Sequence, residues 1–201
     1  MFNYKDKYLK YKSKYLESIK SNKSNNYCQN CSIIKGGNIN NNNNNIIKAI
    51  SFFNGDKIKG IVRFQEDLTN NLVQIQVELE GFEPNTIHGF HIHESGDLTK
   101  GCDSLCAHFN PFNVIHGDRT DPIRHVGDLG NLYADSSGKV NITFTDHMIK
   151  LRGDISNIIG RGLIIHADQD DCGKGHNHTS LTNGNSGKRI GCAIIGYASV
   201  C

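Results

Sequence analysis

His88-Gly89-Phe90-His91-Ile92-His93-Glu94 reads as a β-strand with two imidazoles two residues apart. On a strand, side chains at i and i+2 leave the same face. His91 and His93 therefore aim two neutral nitrogen ligands at one point. Farther along stand His108, His116, His125 and His166, with Asp128 and Asp170. No helical pattern links them, so only a folded β scaffold brings them together. Imidazole suits copper and zinc, and a carboxylate completes a closed tetrahedral zinc set. The pattern points to a transition-metal site, and to more than one metal.

The surrounding chain has the texture of such a scaffold. From Ile46 onward it runs in short segments rich in β-branched and aromatic residues, at 46–53, 58–66, 72–80, 85–94, 131–135, 139–145, 163–167 and 190–199. Asn54-Gly55-Asp56 marks a hairpin, and Asp135-Ser136-Ser137-Gly138 a later turn. No long amphipathic helix is legible after residue 46. Many short strands with frequent turns predict an all-β antiparallel sandwich or barrel. Two polar, Gly-rich stretches, 95–127 and 168–188, interrupt the strands. Irregular loops of that length are usually functional or disordered. These flank or contain the metal-competent side chains, which favours function. Taken singly, His88, His147, His176 and His178 read as ordinary structural or surface histidines.

Residues 1–45 are of another kind. YKDKYLK (4–10) and YKSKYLE (11–17) repeat at seven residues and put Tyr8, Leu9, Tyr15, Leu16 and Ile19 on one side of a helix. Two heptads are too few to argue a coiled coil. A Ser/Asn/Gly segment follows and ends in a run of asparagines from Asn40 to Asn45, a composition that reads as a disordered linker. The expected organisation is a low-complexity extension over 1–45 and one β domain over 46–201. Eight lysines against Asp6 and Glu17 give the extension a charge of +6, which leaves −4 of the total +2 for the rest. Such a basic segment suits an acidic partner, nucleic acid or an anionic surface, or serves as a solubilising tail, the plainer reading. Without an apolar run in the first twenty residues, no secretory signal is legible and a cytoplasmic location is expected. The Asn-, Lys- and Ile-rich composition suggests an AT-rich genome, of a protist or a large DNA virus infecting one, which adds the virion as a location. Seven cysteines cannot all pair within the chain. Reduced thiols with one protected disulfide are expected. Cys28-Gln29-Asn30-Cys31 is a C-x-x-C, a weak signal by itself.

Several motifs carry a resemblance: HGFHIHESGD (88–97), Gly101-Cys102, HFNP (108–111), His116-Gly117, RHVGDLGN (124–131), GRGLIIHADQDD (160–171), GKG (173–175) and GKRIGCAIIG (187–196). In this order, over roughly residues 46–201, the chain resembles the copper/zinc superoxide dismutase family. The resemblance implies an eight-stranded antiparallel Greek-key barrel, an immunoglobulin-like sandwich, with two long functional loops. It implies one copper per chain on His91, His93, His108 and His166, and one zinc on His108, His116, His125 and Asp128, with His108 as the bridge. Asp170 would stand behind the ligands, bonded to His91 and His116. Arg189 would hold a small anion beside the copper, and Cys102 and Cys192 would form a disulfide tying the first long loop to the last strand. The implied reaction converts two superoxide radicals and two protons to dioxygen and hydrogen peroxide by copper redox cycling, with Arg189 and His108 as the catalytic side chains. The implied partners are superoxide, a second copy in a homodimer, and a copper chaperone.

The chain departs from the family pattern in three places. The usual acidic pair of the second loop appears as His178 and Thr179, and its guide lysine as Thr182, while Lys188 adds a cation beside Arg189. Ser95 stands where many relatives carry an aromatic dimer contact, leaving Ile194, Ile195 and Tyr197 to supply apolar surface. Cys106 and Cys172 fall in the long loops as expected free thiols. A copper chaperone or metal-delivery protein, using Cys28 and Cys31 beside a dismutase-like domain, is the alternative function.

Overall fold

The computed structural model describes residues 45–153 and 155–199. The readings made for residues 1–44, including the heptads and Cys28 and Cys31, lie outside the described residues, as does Cys201. The strands are β1 (Ile46–Asn54), β2 (Lys59–Asp67), β3 (Leu72–Glu80), β4 (Ile87–His93), β5 (Thr99–Cys102), β6 (Asp128–Tyr133), β7 (Lys139–Asp146), β8 (Gly162–His166) and β9 (Arg189–Tyr197). Eight of them form one antiparallel sheet in the order β6-β4-β8-β9-β1-β2-β3-β7. The outermost strands, β6 and β7, are consecutive in sequence and joined by the Asp135–Gly138 turn, so the sheet curls into a nearly closed barrel. β3 to β4 and β7 to β8 connect strands that are not neighbours, which is the Greek-key crossing pattern.

Local sequence explains the elements. In β3, Val73, Ile75, Val77 and Leu79 alternate with polar residues and enter the core, where Phe53, Val62, Phe64, Phe90, Ile92, Leu163, Ile165 and Ile195 meet them. The Asp135 carboxylate caps its turn by accepting from the N–H groups of Ser137 and Lys139. Gly138, at φ 71°, packs so closely on Phe82 that an added Cβ would lie 2.2 Å from the Phe82 carbonyl oxygen. Any side chain there would open the closure between β6 and β7.

β4 differs from the other strands because it is buried on both faces. Phe90 and Ile92 point into the core. His91 and His93 leave the opposite face by strand alternation, and the two long loops cover them. The first loop is laced to the strand by backbone bonds: Ile92 N–H to the Gly127 carbonyl (2.8 Å), Phe109 N–H to the Ile92 carbonyl (2.8 Å) and Gly127 N–H to the Phe109 carbonyl (2.9 Å). The histidine face thus lies outside the barrel wall and beneath the loops.

Three short elements inside the loops are not legible in the sequence, among them a 3-10 turn at Asp103–Leu105. β5 is exposed along most of its length and has no apolar alternation to betray it. A single helical turn, Ser180–Asn183, is held by Asn177 and Gly184 rather than by an apolar stripe. The reading of Ile195 as dimer surface is corrected: it is fully buried, because Ala193 and Ile195 are the inward positions of β9. Tyr197 is exposed, and Ile194 is half-buried. Among the described residues no helix is long and apolar enough to cross a membrane.

Cys102 and Cys192 form a disulfide across 90 residues of sequence, joining the first loop to β9. A crosslink of that span removes much chain entropy from the unfolded state. Replacing both cysteines by serine is expected to lower the unfolding free energy by about 2–5 kcal/mol in chemical denaturation.

Candidate metal centre

Two groups of side chains have converging ligand atoms, all within 4.8 Å of one another in each group: His91, His93, His108 and His166, and His108, His116, His125 and Asp128. All seven residues are buried. His91 and His93 come from β4, His166 from the end of β8, and Asp128 from the start of β6. His108, His116 and His125 come from the first loop. His108 belongs to both groups, and its ring centroid lies 4.1 Å from that of His91, 4.9 Å from His93, 5.3 Å from His116 and 5.5 Å from His125.

A neutral imidazole has one N–H donor and one lone pair, and the partner of one nitrogen fixes the role of the other. Here the outward partners are all acceptors. His91 Nε2 donates to Asp170 Oδ2 (2.8 Å) and His116 Nε2 to Asp170 Oδ1 (2.7 Å). His93 Nδ1 donates to the Cys106 carbonyl (2.9 Å), His166 Nδ1 to the Gly187 carbonyl (3.2 Å) and His125 Nε2 to the Val114 carbonyl (3.1 Å). The opposite nitrogens are buried: Nδ1 of His91 and Nε2 of His93 and His166 engage in no hydrogen bond, while Nδ1 of His116 and His125 face Asp128 oxygens at 3.0 Å and 3.1 Å. His108 Nε2 is likewise unengaged, facing the first group, while its Nδ1 lies 3.0 Å from Asp128 Oδ1 in the second. Leaving Nδ1 of His91 and Nε2 of His93, His108 and His166 buried and unpaired costs about 1–3 kcal/mol each unless something accepts their lone pairs. A cation at the focus of each group does so, and this donor chemistry fits a histidine-rich transition-metal pair.

His88 supplies the contrast. It is buried in the same strand, yet both its ring nitrogens are occupied, Nδ1 at the His166 carbonyl (2.8 Å) and Nε2 at Thr86 Oγ1 (2.8 Å). Its reading as a structural histidine fits this geometry. His147, His176 and His178 are exposed and outside the converging groups.

The electrostatics suit cation binding. Burial, and then the neighbouring His108, hold His91 at about 3. Burial also holds His166 at about 4, with His108 and Arg189 adding to the effect. His93 and His108 are lowered too, first by burial. Neutral imidazoles are the form that ligates. Burial opposes the charge on Asp128 and Asp170, but hydrogen bonds to the histidines outweigh it and keep both carboxyls well below the usual range. At His116 burial disfavours the cation, yet Asp128 and Asp170 together raise it to about 9.

Supporting residues complete the centre. Asp128 Oδ2 accepts from the N–H groups of His125 (2.8 Å) and Gly117 (3.2 Å). Arg124, fully buried, pairs with Asp146 and donates to the carbonyls of His125 (3.1 Å) and Asp128 (3.0 Å). It fastens the ligand-bearing loop to β7. The sequence reading contained Arg124 only as a motif letter; its burial is what reveals the role. Arg189 is half-buried, with Nη1 donating to the Cys102 carbonyl (2.6 Å) and Nη2 to the Cys106 carbonyl. Its charge lies near enough to depress both His93 and His166. Cys106 and Cys172 are free. Burial and a contact to Asp118 push the Cys172 thiol up to about 12, so it stays protonated.

The antiparallel Greek-key barrel thus carries, under two loops, two histidine-rich groups that could each hold a metal ion and that share His108. A family model described as copper/zinc superoxide dismutase matches residues 58–195. A superoxide dismutase (Cu-Zn) of Paramecium bursaria Chlorella virus 1 is 57% identical over 152 residues, 76% of this chain and 79% of the relative. One from Schizosaccharomyces pombe is 47% identical over 154 residues, 76% and 99% respectively. A crystal structure titled as the clock protein EA4 aligns with a TM-score of 0.73 at 38% identity, over 77% of this chain and 96% of that one. The chain belongs to the copper/zinc superoxide dismutase family. These relatives support superoxide dismutase function, an oxidoreductase activity, and lend nothing to the metal-delivery alternative.

The ring pKa values set the pH response of the metal-free protein. His91, His93, His108 and His166 are neutral when folded and bind protons near pH 6.5 when unfolded. Their contribution is complete above about pH 6.5 and is lost as pH falls toward 4 and 3. His116 acts in the opposite sense: its contribution is complete below about pH 6.5 and fades as pH rises through 9. The melting temperature of the metal-free protein is therefore expected to peak near neutrality. It should fall by about 10 °C or more by about pH 4.5, and more gently on the alkaline side, in calorimetric scans.

Proposed function

We propose that the chain disproportionates superoxide at one copper held by His91, His93, His108 and His166, beside one zinc held by His108, His116, His125 and Asp128. The observation that carries this reading is the convergence of six buried imidazole nitrogens on two foci that share His108, four of them unpaired at the first focus and those of His116 and His125 gathered around Asp128 at the second. Bound copper supplies one-electron redox chemistry, and bound zinc a fixed charge on the shared ring.

The chain's own residues do the rest. The Arg189 guanidinium, anchored through Nη1 and Nη2 to loop carbonyls, presents a positive charge for a small anion beside His93 and His166. His108 Nε2, buried and unengaged, is the atom placed to hold a proton for the peroxide product. His108 Nδ1 keeps its place against Asp128 meanwhile. Two superoxide anions and two protons thus give one dioxygen and one hydrogen peroxide. His178, Thr179 and Thr182 leave the second loop without its usual charges; Thr179 and Thr182 instead make hydrogen bonds within the loop. Lys188 is exposed and forms no ion pair among the described residues. It takes over part of the attraction of the anionic substrate, a long-range effect for which this family is a standard example.

A homodimer, a copper chaperone as metal donor and a cytoplasmic location complete the proposal. Exposed Tyr197 and Phe52 supply apolar surface for the dimer, in place of the aromatic contact absent at Ser95.

The test is metal analysis with a superoxide dismutation assay, run on the full chain, His91→Ala, Lys188→Ala and a chain beginning at Ile46. The expected result is about one copper and one zinc per chain, in the ratio of a closed site beside an open one. Activity should be lost in His91→Ala and kept after truncation. Lys188→Ala should be slower at low ionic strength with a flatter salt dependence. Zinc-only, inactive protein from copper-replete cells contradicts the reading, and an unchanged salt dependence contradicts the share given to Lys188.

A further inference from the structure

Asp170 reaches both halves of the centre, through Oδ2 to His91 and Oδ1 to His116. Its own position is set from the barrel. Asn131, on β6 and opposite Gly89 in the β4–β6 register, donates from Nδ2 to the Asp170 carbonyl (2.9 Å). Its Oδ1 accepts from the Asp170 N–H (2.8 Å). The two bonds bracket the residue 170 backbone, so a shift or rotation of that residue breaks at least one of them.

The other contacts around Asp170 lie within its own loop. Cys172 N–H donates to Asp170 Oδ1 (2.7 Å), and Asp171 N–H to the Gly184 carbonyl (2.8 Å). Ser180 Oγ donates to Asp171 Oδ1 (2.7 Å). A Cβ on Gly184 would stand 1.8 Å from Asp170 Oδ1 and 2.6 Å from His116 Nε2, so the loop closes tightly on this contact. Backbone bonds from Gly89 N–H to the Asp168 carbonyl (2.9 Å) and from His116 N–H to the Leu181 carbonyl (3.0 Å) tie this loop to β4 and to the first loop. The Asn131 carboxamide adds the link that fixes residue 170 itself to a strand beside His91.

We propose that Asn131 is a positioning residue for both metal centres, acting through Asp170; the proposal rests on the reading that the two groups hold copper and zinc. Asp170 keeps the N–H of His91 and His116 on Nε2, which leaves their Nδ1 lone pairs for a metal. Displacing Asp170 releases both rings at once, so one carboxamide governs the copper side and the zinc side together. An aspartate at 131 keeps the shape but has no proton to give the Asp170 carbonyl.

The test measures zinc and copper affinity by competition with a chromophoric chelator, with the visible bands of cobalt(II) in the zinc position as a geometric readout. It compares the unaltered protein with Asn131→Asp, Asp170→Asn and the double variant. Asn131→Asp is expected to weaken both metals by about ten- to a hundredfold and to change the cobalt bands. In the Asp170→Asn background it should add little, because the two residues act in series. Asn131→Ala, which brings no charge, carries the same expectation and guards against a folding defect in the aspartate variant. Parental affinities in a metal-binding protein carrying Asn131→Asp overturn this proposal alone, as does full additivity in the double variant. Failure of the unaltered protein to bind either metal overturns the reading of the centre, and this proposal with it.

Discussion

Each imidazole has two nitrogens, and outside the bridging ring the scaffold takes up only one of them. Outward acceptors on Asp170, Cys106, Gly187 and Val114 fix the tautomers of His91, His116, His93, His166 and His125, leaving one lone pair on each ring turned inward. His108 is the exception that joins the two sides, since neither of its nitrogens is bound to Asp170 or to a backbone carbonyl. Burial then keeps most of these rings neutral at physiological pH. The chemical selectivity of the centre follows from this division of hydrogen bonds.

The barrel and loops divide the task. The barrel supplies a rigid wall, because β4 buries Phe90 and Ile92 on one face and so orients His91 and His93 on the other. The first loop brings His108, His116 and His125, the end of β8 brings His166, and all four rings are buried. The loops are held by few but specific links: the disulfide at Cys102, the Arg124–Asp146 pair, and Asn131 at Asp170. Burying a guanidinium–carboxylate pair rarely gives net stability, but losing one partner would leave an uncompensated charge worth about 3–5 kcal/mol. Arg124 therefore serves to specify the loop's path more than to stabilise it.

The legible and illegible parts of the chain differ in how far apart the determining groups lie. The His91–His93 pair is readable because strand period is a local property, and the eight strands of the sheet follow from short apolar runs for the same reason. His108, His116, His125 and His166 could be sorted into ligand sets only through family resemblance, since spacing across irregular loops does not define geometry. Of the acceptors that fix the tautomers, Asp170 is named by the resemblance, while the other three are backbone carbonyls, which every residue possesses. Asn131 stood inside a recognised motif, but its partner lies 39 residues away. The face taken by Ile195 is not legible because its neighbours, Ile194 and Gly196, supply no polar alternation. β5 and the Ser180–Asn183 turn lack apolar periodicity and depend on tertiary contacts.

The central claim is that two metals share His108 and meet the nitrogens turned away from Asp170 and the loop carbonyls. Anomalous diffraction from metal-loaded crystals, collected at the copper and zinc absorption edges, tests it directly. The account predicts two peaks flanking the His108 ring, the copper peak at His91 Nδ1, His93 Nε2, His108 Nε2 and His166 Nε2, and the zinc peak at Nδ1 of His108, His116 and His125 with Asp128. A single peak, or a metal bound at a nitrogen now bonded to Asp170 or to a carbonyl, would contradict it.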